Sequence, residues 1–197
     1  MNIISHHKSS VFFALAFRLR VWSAHLEPLG IPNFQQVNEH IFRGGQPADW
    51  SWQNLGKLGV KTVIDLRRAD EHSTAAEAKA VAAAGLNYIN VPMKGVVAPT
   101  DEQIAKVLGL LDSSEPVFVH CQRGADRTGT VIACYRIAHD GWERHRALNE
   151  AKSLGMRWTQ VGLKRYIMAF QPAQKRAAVE KDPKRTSPQS AVAAEGF

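Results

Sequence analysis

Cys121 and Arg127 are separated by five residues in Val119-His120-Cys121-Gln122-Arg123-Gly124-Ala125-Asp126-Arg127-Thr128-Gly129, between a short apolar run and a stretch of helical character. The chemistry this spacing allows is the capture of an anion. A strand ending at Cys121 and a helix starting near Arg127 need only a tight loop between them. The backbone N–H groups of Gln122, Arg123, Gly124 and Ala125 can then converge on one point, which the positive end of the helix also faces. Arg127 closes the ring as a planar two-pronged donor, better matched to phosphoryl oxygens than a lysine. The same surroundings stabilise a thiolate. A free cysteine titrates near ~8.5, and a helix N-terminus among donors lowers that value, which makes Cys121 a candidate nucleophile toward phosphorus. Gly124 and Gly129 suit a chain that wraps an anion, where side chains obstruct close approach.

The stretch resembles the signature of the cysteine-dependent protein tyrosine and dual-specificity phosphatases, His-Cys, five residues, then Arg-Ser/Thr. Its form Cys-x-Arg-Gly-x-x-Arg-Thr-Gly is most similar to the atypical dual-specificity phosphatases of plants, fungi and bacteria. Weaker matches extend the resemblance over residues 31–151, including Ile41-Phe42-Arg43-Gly44-Gly45-Gln46-Pro47 and Val63-Ile64-Asp65-Leu66-Arg67. The resemblance implies that Cys121 becomes a phosphocysteine and that Arg127 binds the phosphate and its transition state. It also implies that Thr128 hydrogen-bonds the sulfur as leaving group and that His120 orients the loop. No metal and no cofactor is implied. Two other readings compete: a buried structural cysteine, and a rhodanese-like sulfur carrier, which the Arg-Thr-Gly ending disfavours.

The departing alkoxide or phenoxide is best protonated as it leaves, a task the family gives to an aspartate on a mobile loop. After the strand over residues 86–91 the chain reads Pro92-Met93-Lys94-Gly95, with no acid. Two candidates remain, Asp101 on the following connection and Asp126 inside the loop, as in myotubularin-type lipid phosphatases; an arrangement that uses neither stays open. Helix capping is the alternative role of Asp101, and holding Arg127 or the loop backbone that of Asp126. Arg123, Lys94, Arg67 and Arg43 end segments that approach one side of the sheet. Their convergence would favour a polyphosphorylated substrate, such as an inositol phosphate or phosphoinositide, over a phosphotyrosine protein. A phosphate-binding module with little catalysis is the reading from a different class.

The chain has 197 residues, 45% of them hydrophobic, enough for one substantial core. Two cysteines are too few for a disulfide framework, and a reactive thiol fits a reducing compartment, so the cytoplasm is expected. Cys134 falls in the apolar helix after the loop, where packing outweighs a redox partnership with Cys121. The net charge of +7 suits an anionic phosphoester or phosphorylated protein, but the dense basic stripe of a nucleic-acid binder is missing. Residues 11–17 are apolar, yet Arg18 and Arg20 interrupt them well before the ~20 residues that span a bilayer. A surface amphipathic helix is favoured there over a signal peptide, and membrane association through it is disfavoured. The oligomeric state is not legible.

Alternation of strands and helices predicts one α/β domain with a mixed sheet of four to five strands flanked by helices, phosphatase-like, over residues 31–171. An extension over 1–30 precedes it and a disordered tail over 172–197 follows. Strands are expected at 34–37, 40–43, 61–66, 86–91 and 117–120, and helices at 48–58, 71–84, from Thr100, and at 128–139, 143–154 and 160–170. Thr100-Asp101-Glu102-Gln103 has the form of a capping box. Trp50, Trp52, Leu55 and Leu58 are expected to pack the first of these helices on the sheet.

Overall fold

The computed structural model describes residues 29–172, so the expected extension and tail lie almost wholly outside the described residues. Five strands form one mixed sheet: β1 (Gln35–Gln36), β2 (Ile41–Gly44), β3 (Thr62–Asp65), β4 (Asn87–Asn90) and β5 (Val117–His120). Their order is β1-β2-β5-β3-β4, with β1 antiparallel to β2 and every other pair parallel. Six helices complete the described chain: α1 (Ser51–Lys57), α2 (Thr74–Ala83), α3 (Asp101–Leu111), α4 (Asp126–Ala138), α5 (Arg144–Ser153) and α6 (Val161–Ala169). None is long and apolar enough to cross a membrane.

Central parallel strands are buried on both faces, and β5 is buried at every position, with Val117, Phe118 and Val119 supplying the apolar surface. Val117 and Val119 point into the larger core with α3, α4, α5 and α6, whereas Phe118 points into a smaller core with Trp52 and Leu55 of α1 and Val81 of α2. The sheet is thus the middle of three layers. Gly129 lets α4 and α5 pack closely, since a Cβ there would lie 3.3 Å from the Cβ of Ala151.

The expected strands and helices are all present, most of them shorter by one to a few residues. The capping box forms as the sequence suggests: the Thr100 hydroxyl accepts from the Gln103 N–H at 3.2 Å, and Gln103 Oε1 accepts from the Thr100 N–H at 2.9 Å. Two departures have physical causes. Ser73 caps α2 by accepting from the Ala76 N–H, which leaves residues 67–72 as a connection and Glu71 outside the helix. Trp50 sits at the N-cap of α1, off its buried stripe, and is 54% exposed.

This difference within α1 is measurable. Leu55→Ala removes a fully buried side chain and is expected to cost about 2–5 kcal/mol in chemical denaturation. Trp50→Ala is expected to cost less than about 1 kcal/mol.

Candidate active site

The parallel register brings the ends of β2, β3 and β5 level: Gly44 and Asp65 both stand opposite His120. Ligand sites in such sheets form at the carboxyl ends of the strands, and here the chain turns sharply from His120 into α4. Gly124 makes that turn possible. Its φ is +68°, and a Cβ would fall 2.4 Å from the Gly44 carbonyl carbon and 2.5 Å from the Gly45 nitrogen. The loop therefore rests directly on the backbone of the Gly44-Gly45 pair. Gln46 N–H donates to the Gln122 carbonyl at 3.1 Å, and Asn33 Nδ2 donates to the Arg123 carbonyl at 3.0 Å, fixing the loop from outside. Ala125, the N-cap of α4, has no side chain able to cap it, so the first N–H groups of the helix are left for an anion.

Cys121 lines a cleft of about 210 Å³ with Glu71, Gly95, Gln122, Arg123, Asp126, Arg127 and Arg157. Arg127 is largely buried, and Glu71 grips it in a two-pronged pair at 2.7 and 2.8 Å. The Met93 carbonyl accepts from the same guanidinium at 3.2 Å. Burial would lower the Arg127 pKa, but the Glu71 hydrogen bonds and the charges of Cys121 and Glu71 outweigh it and raise it. In return, Arg127 holds the Glu71 carboxyl below its ordinary 4.5.

Asp126 is nearly buried and accepts three hydrogen bonds: from Arg123 Nη2 at 2.6 Å, from the Arg157 backbone N–H at 2.9 Å and from Arg157 Nε at 3.1 Å. Both arginines are about half exposed at the mouth of the cleft. Asp101 is elsewhere: it does not line this cleft, and its carboxylate accepts from the Tyr166 hydroxyl at 2.7 Å. Thr128 is fully buried, and its hydroxyl makes no hydrogen bond to the sulfur or to any other described group. Gly129 packs helices rather than lining the cleft.

The other predicted cations do not converge on the cleft. Lys94 is exposed and Arg43 is buried, and neither lines it. Arg67 is committed to a buried network: it donates to Asp65 at 3.0 Å and pairs with Glu77, and only its Nη1 reaches Gln122 Oε1, at 3.4 Å. Burial pulls the Asp65 carboxyl up, but the hydrogen bonds from Arg67 and the charge of His120 prevail and hold it below its ordinary value. His120 stacks on Phe118, and its Nε2 lies 3.0 Å from Glu77 Oε1, so it ties the end of β5 to α2. Asp65, His72 and Glu77 offer ligand atoms within 4.8 Å of one another, but Arg67 already supplies the cation that both carboxylates share. Cys134 is fully buried, and burial pushes its thiol far up, which makes it an inert core residue.

Glu71 and Arg157 are the charged cleft residues that sequence reasoning missed. Glu71 was hidden inside an expected helix, although Ser73 carried the signal that the helix begins later. Arg157 follows Gly155, a left-handed residue that ends α5, in a segment with no periodicity to mark it.

A family described as "DSP-PTPase phosphatase fused to NAD+ kinase" matches residues 27–168, and the chain belongs to this phosphatase family. Its relatives include the dual specificity protein phosphatase TpbA of Pseudomonas aeruginosa (strain UCBPP-PA14), 29% identical over 147 residues that make up 70% of this chain and 61% of TpbA. Inositol diphosphatase DSP5 of Arabidopsis thaliana is 28% identical over 146 residues, 71% of this chain and 70% of that protein. The chain thus spans about three fifths of the length of TpbA. The fold is that of the P. aeruginosa TpbA crystal structure, with a TM-score of 0.63, 24% identity and coverage of 78% of this chain and 98% of that one. The core catalytic domain of the PP-IP phosphatase SIW14 from S. cerevisiae gives a TM-score of 0.65 at 22% identity, covering 76% and 93%.

Glu71→Gln is expected to lower kcat/KM roughly ten- to a hundredfold by loosening Arg127, since hydrogen bonds to charged groups contribute about 1.5–3 kcal/mol. Its effect on stability depends on pH. The lowered Glu71 carboxyl contributes fully above its ordinary 4.5 and loses its contribution as pH falls through its folded value. The Tm gap between wild type and Glu71→Gln is expected to be constant from pH 6 to 8 (about neutral) and to close below about pH 4.

Proposed function

We propose that the chain is a metal-independent phosphomonoester hydrolase that works through a phosphocysteine at Cys121. The observation that carries this reading is the meeting of Cys121, Arg127 and the uncapped start of α4 in one cleft. The Cys121 thiolate attacks phosphorus and the bond to the leaving oxygen breaks. Arg127 and the loop amides hold the charge that develops on the phosphoryl oxygens. His120 keeps the end of β5 in place, and Thr128 is the hydroxyl that turns to the sulfur once phosphate is bound.

Asp126 is the general acid in this reading, because it shares the cleft with Cys121 whereas Asp101 is held by Tyr166 outside it. Glu71 does not suit the task, since Arg127 holds it too acidic to carry a proton near neutrality. A substrate phosphate draws Arg123 and Arg157 from Asp126, which frees the carboxyl to take up a proton and pass it to the leaving oxygen. Its carboxylate then accepts a proton from the water that attacks phosphocysteine, the P–S bond breaks, and phosphate and the thiolate are released.

Phosphotyrosine or dual-specificity protein substrates are the primary reading. A polyphosphorylated inositol substrate is the second, favoured by Arg123 and Arg157 at the mouth, which exceed the needs of one phosphate. The cytoplasm suits the two free cysteines.

Hydrolysis of an aryl phosphate in excess chelator is expected, and Cys121→Ser is expected to abolish it; turnover that survives the substitution rejects the mechanism. Rates on phosphotyrosine peptides against inositol phosphates and diphosphates then decide the substrate class. Asp126→Asn is expected to slow an alkyl phosphate at least about tenfold more than an activated aryl phosphate, whose leaving group needs no proton. Equal losses on both substrates remove Asp126 from that role.

A further inference from the structure

Arg43 is 1% exposed, the largest of the fully buried side chains. In register it stands opposite Val119 on β5, and the alternation of side chains along a strand puts it on the face shared by Val119 and Cys121. One end of its guanidinium donates to the Gly124 carbonyl, the underside of the phosphate loop. Its Nε and Nη1 have no hydrogen-bond partner among the described residues, and no carboxylate of those residues lies within 4.0 Å of it. A buried guanidinium without an anion is costly and seldom retained without one.

The surroundings supply one candidate. Burial pulls the Arg43 guanidinium down to about 10, and the charge of Cys121 is the strongest influence opposing it, ahead of Glu150. Glu150 is already bound to Arg136 at 3.1 Å, and Arg136 itself repels Arg43, so that pair largely cancels. The sulfur remains. The other charges around Cys121 are Arg127, Asp126, Arg123, Glu71 and Arg157, all in the cleft, where Arg127 pairs with Glu71 and Arg123 and Arg157 share Asp126.

We propose that Arg43 is the buried counter-ion of the Cys121 thiolate, a positioning residue that acts from behind the loop, holding the Gly124 carbonyl while it stabilises the ionised sulfur. The division of labour follows from geometry. Arg127 lines the cleft, where substrate meets it, whereas Arg43 is sealed in the core and keeps its charge beside the sulfur throughout turnover. The inference deepens the reading of Cys121 as nucleophile, but its main test needs no turnover.

That test is the rate of Cys121 alkylation by iodoacetamide against pH, resolved from Cys134 by peptide mass spectrometry. Arg43→Gln keeps a donor for the Gly124 carbonyl and removes the charge, and Arg43→Lys keeps a charge. In Arg43→Gln the profile is expected to move up by roughly one pH unit, which slows alkylation about tenfold at its acid end, and Arg43→Lys is expected to recover most of the shift. A folded Arg43→Gln protein with the wild-type profile overturns the proposal, whether or not the chain hydrolyses phosphate. Loss of hydrolysis with an unmoved profile also overturns it. Should Arg43→Gln fail to fold, thermal stability carries the test in an Arg127→Gln background, where Arg43 is the remaining buried cation beside the sulfur. There the stability gap between Cys121 and Cys121→Ser is expected to widen from pH 5 to 8 (roughly the thiol range), as ionisation supplies the anion. A flat gap overturns the proposal.

Discussion

The contact of Gly124 with the backbone of Gly44 and Gly45 determines where everything else in the cleft can stand. Two stretches of main chain touch there with no side chain between them, and the left-handed φ of Gly124 turns the loop back over its own strand end. From that support α4 starts at Asp126, and Arg127 emerges one residue later, where Glu71 can meet it. The parallel pairing of β2 with β5 holds the support level, since it sets Gly44 opposite His120. A shift of one residue in that register would put the opposite side-chain faces into each core and lift the loop from its rest.

Charge is distributed around this support in layers. Arg67 is absorbed with Asp65, Glu77 and the histidines behind the sheet end, where it braces β3 against α2. Arg127 is braced by Glu71 and the Met93 carbonyl in the cleft that Cys121 lines. Arg123 and Arg157 stand at the rim and share Asp126. Only the last pair is exposed enough to trade its partner for a ligand at little cost, because exposed ion pairs are weak.

Much of this was legible in the sequence and some was not, for identifiable reasons. The turn from β5 into α4, with Cys121 and Arg127 brought into one cleft, was readable because the spacing of cysteine, glycine and arginine along it is local. The α3 capping box was readable because it is local chemistry between Thr100 and Gln103. Glu71 was not, because its partner lies 56 residues away and nothing local marks a residue that acts by reaching across the fold. The same holds for Arg157, 31 residues from Asp126. Arg43 and Arg67 were seen as cations near the strand ends. Their burial depends on which face of the sheet each occupies, and one-dimensional charge counting does not reveal it. Asp101 and Asp126 looked equivalent in sequence until the turn of α3 took one of them to Tyr166.

The triple acceptance by Asp126 has a further consequence. In the proposed mechanism an arriving phosphate would not meet two idle arginines; it would displace the one carboxylate that already pairs with both, so binding at the rim would exchange one anion for another. Few mobile counterions are released in such an exchange, and the affinity for substrate responds more weakly to ionic strength than the number of arginines would suggest. On that reading the cleft would act as a small internal ion exchanger, charged in advance with the Asp126 carboxylate.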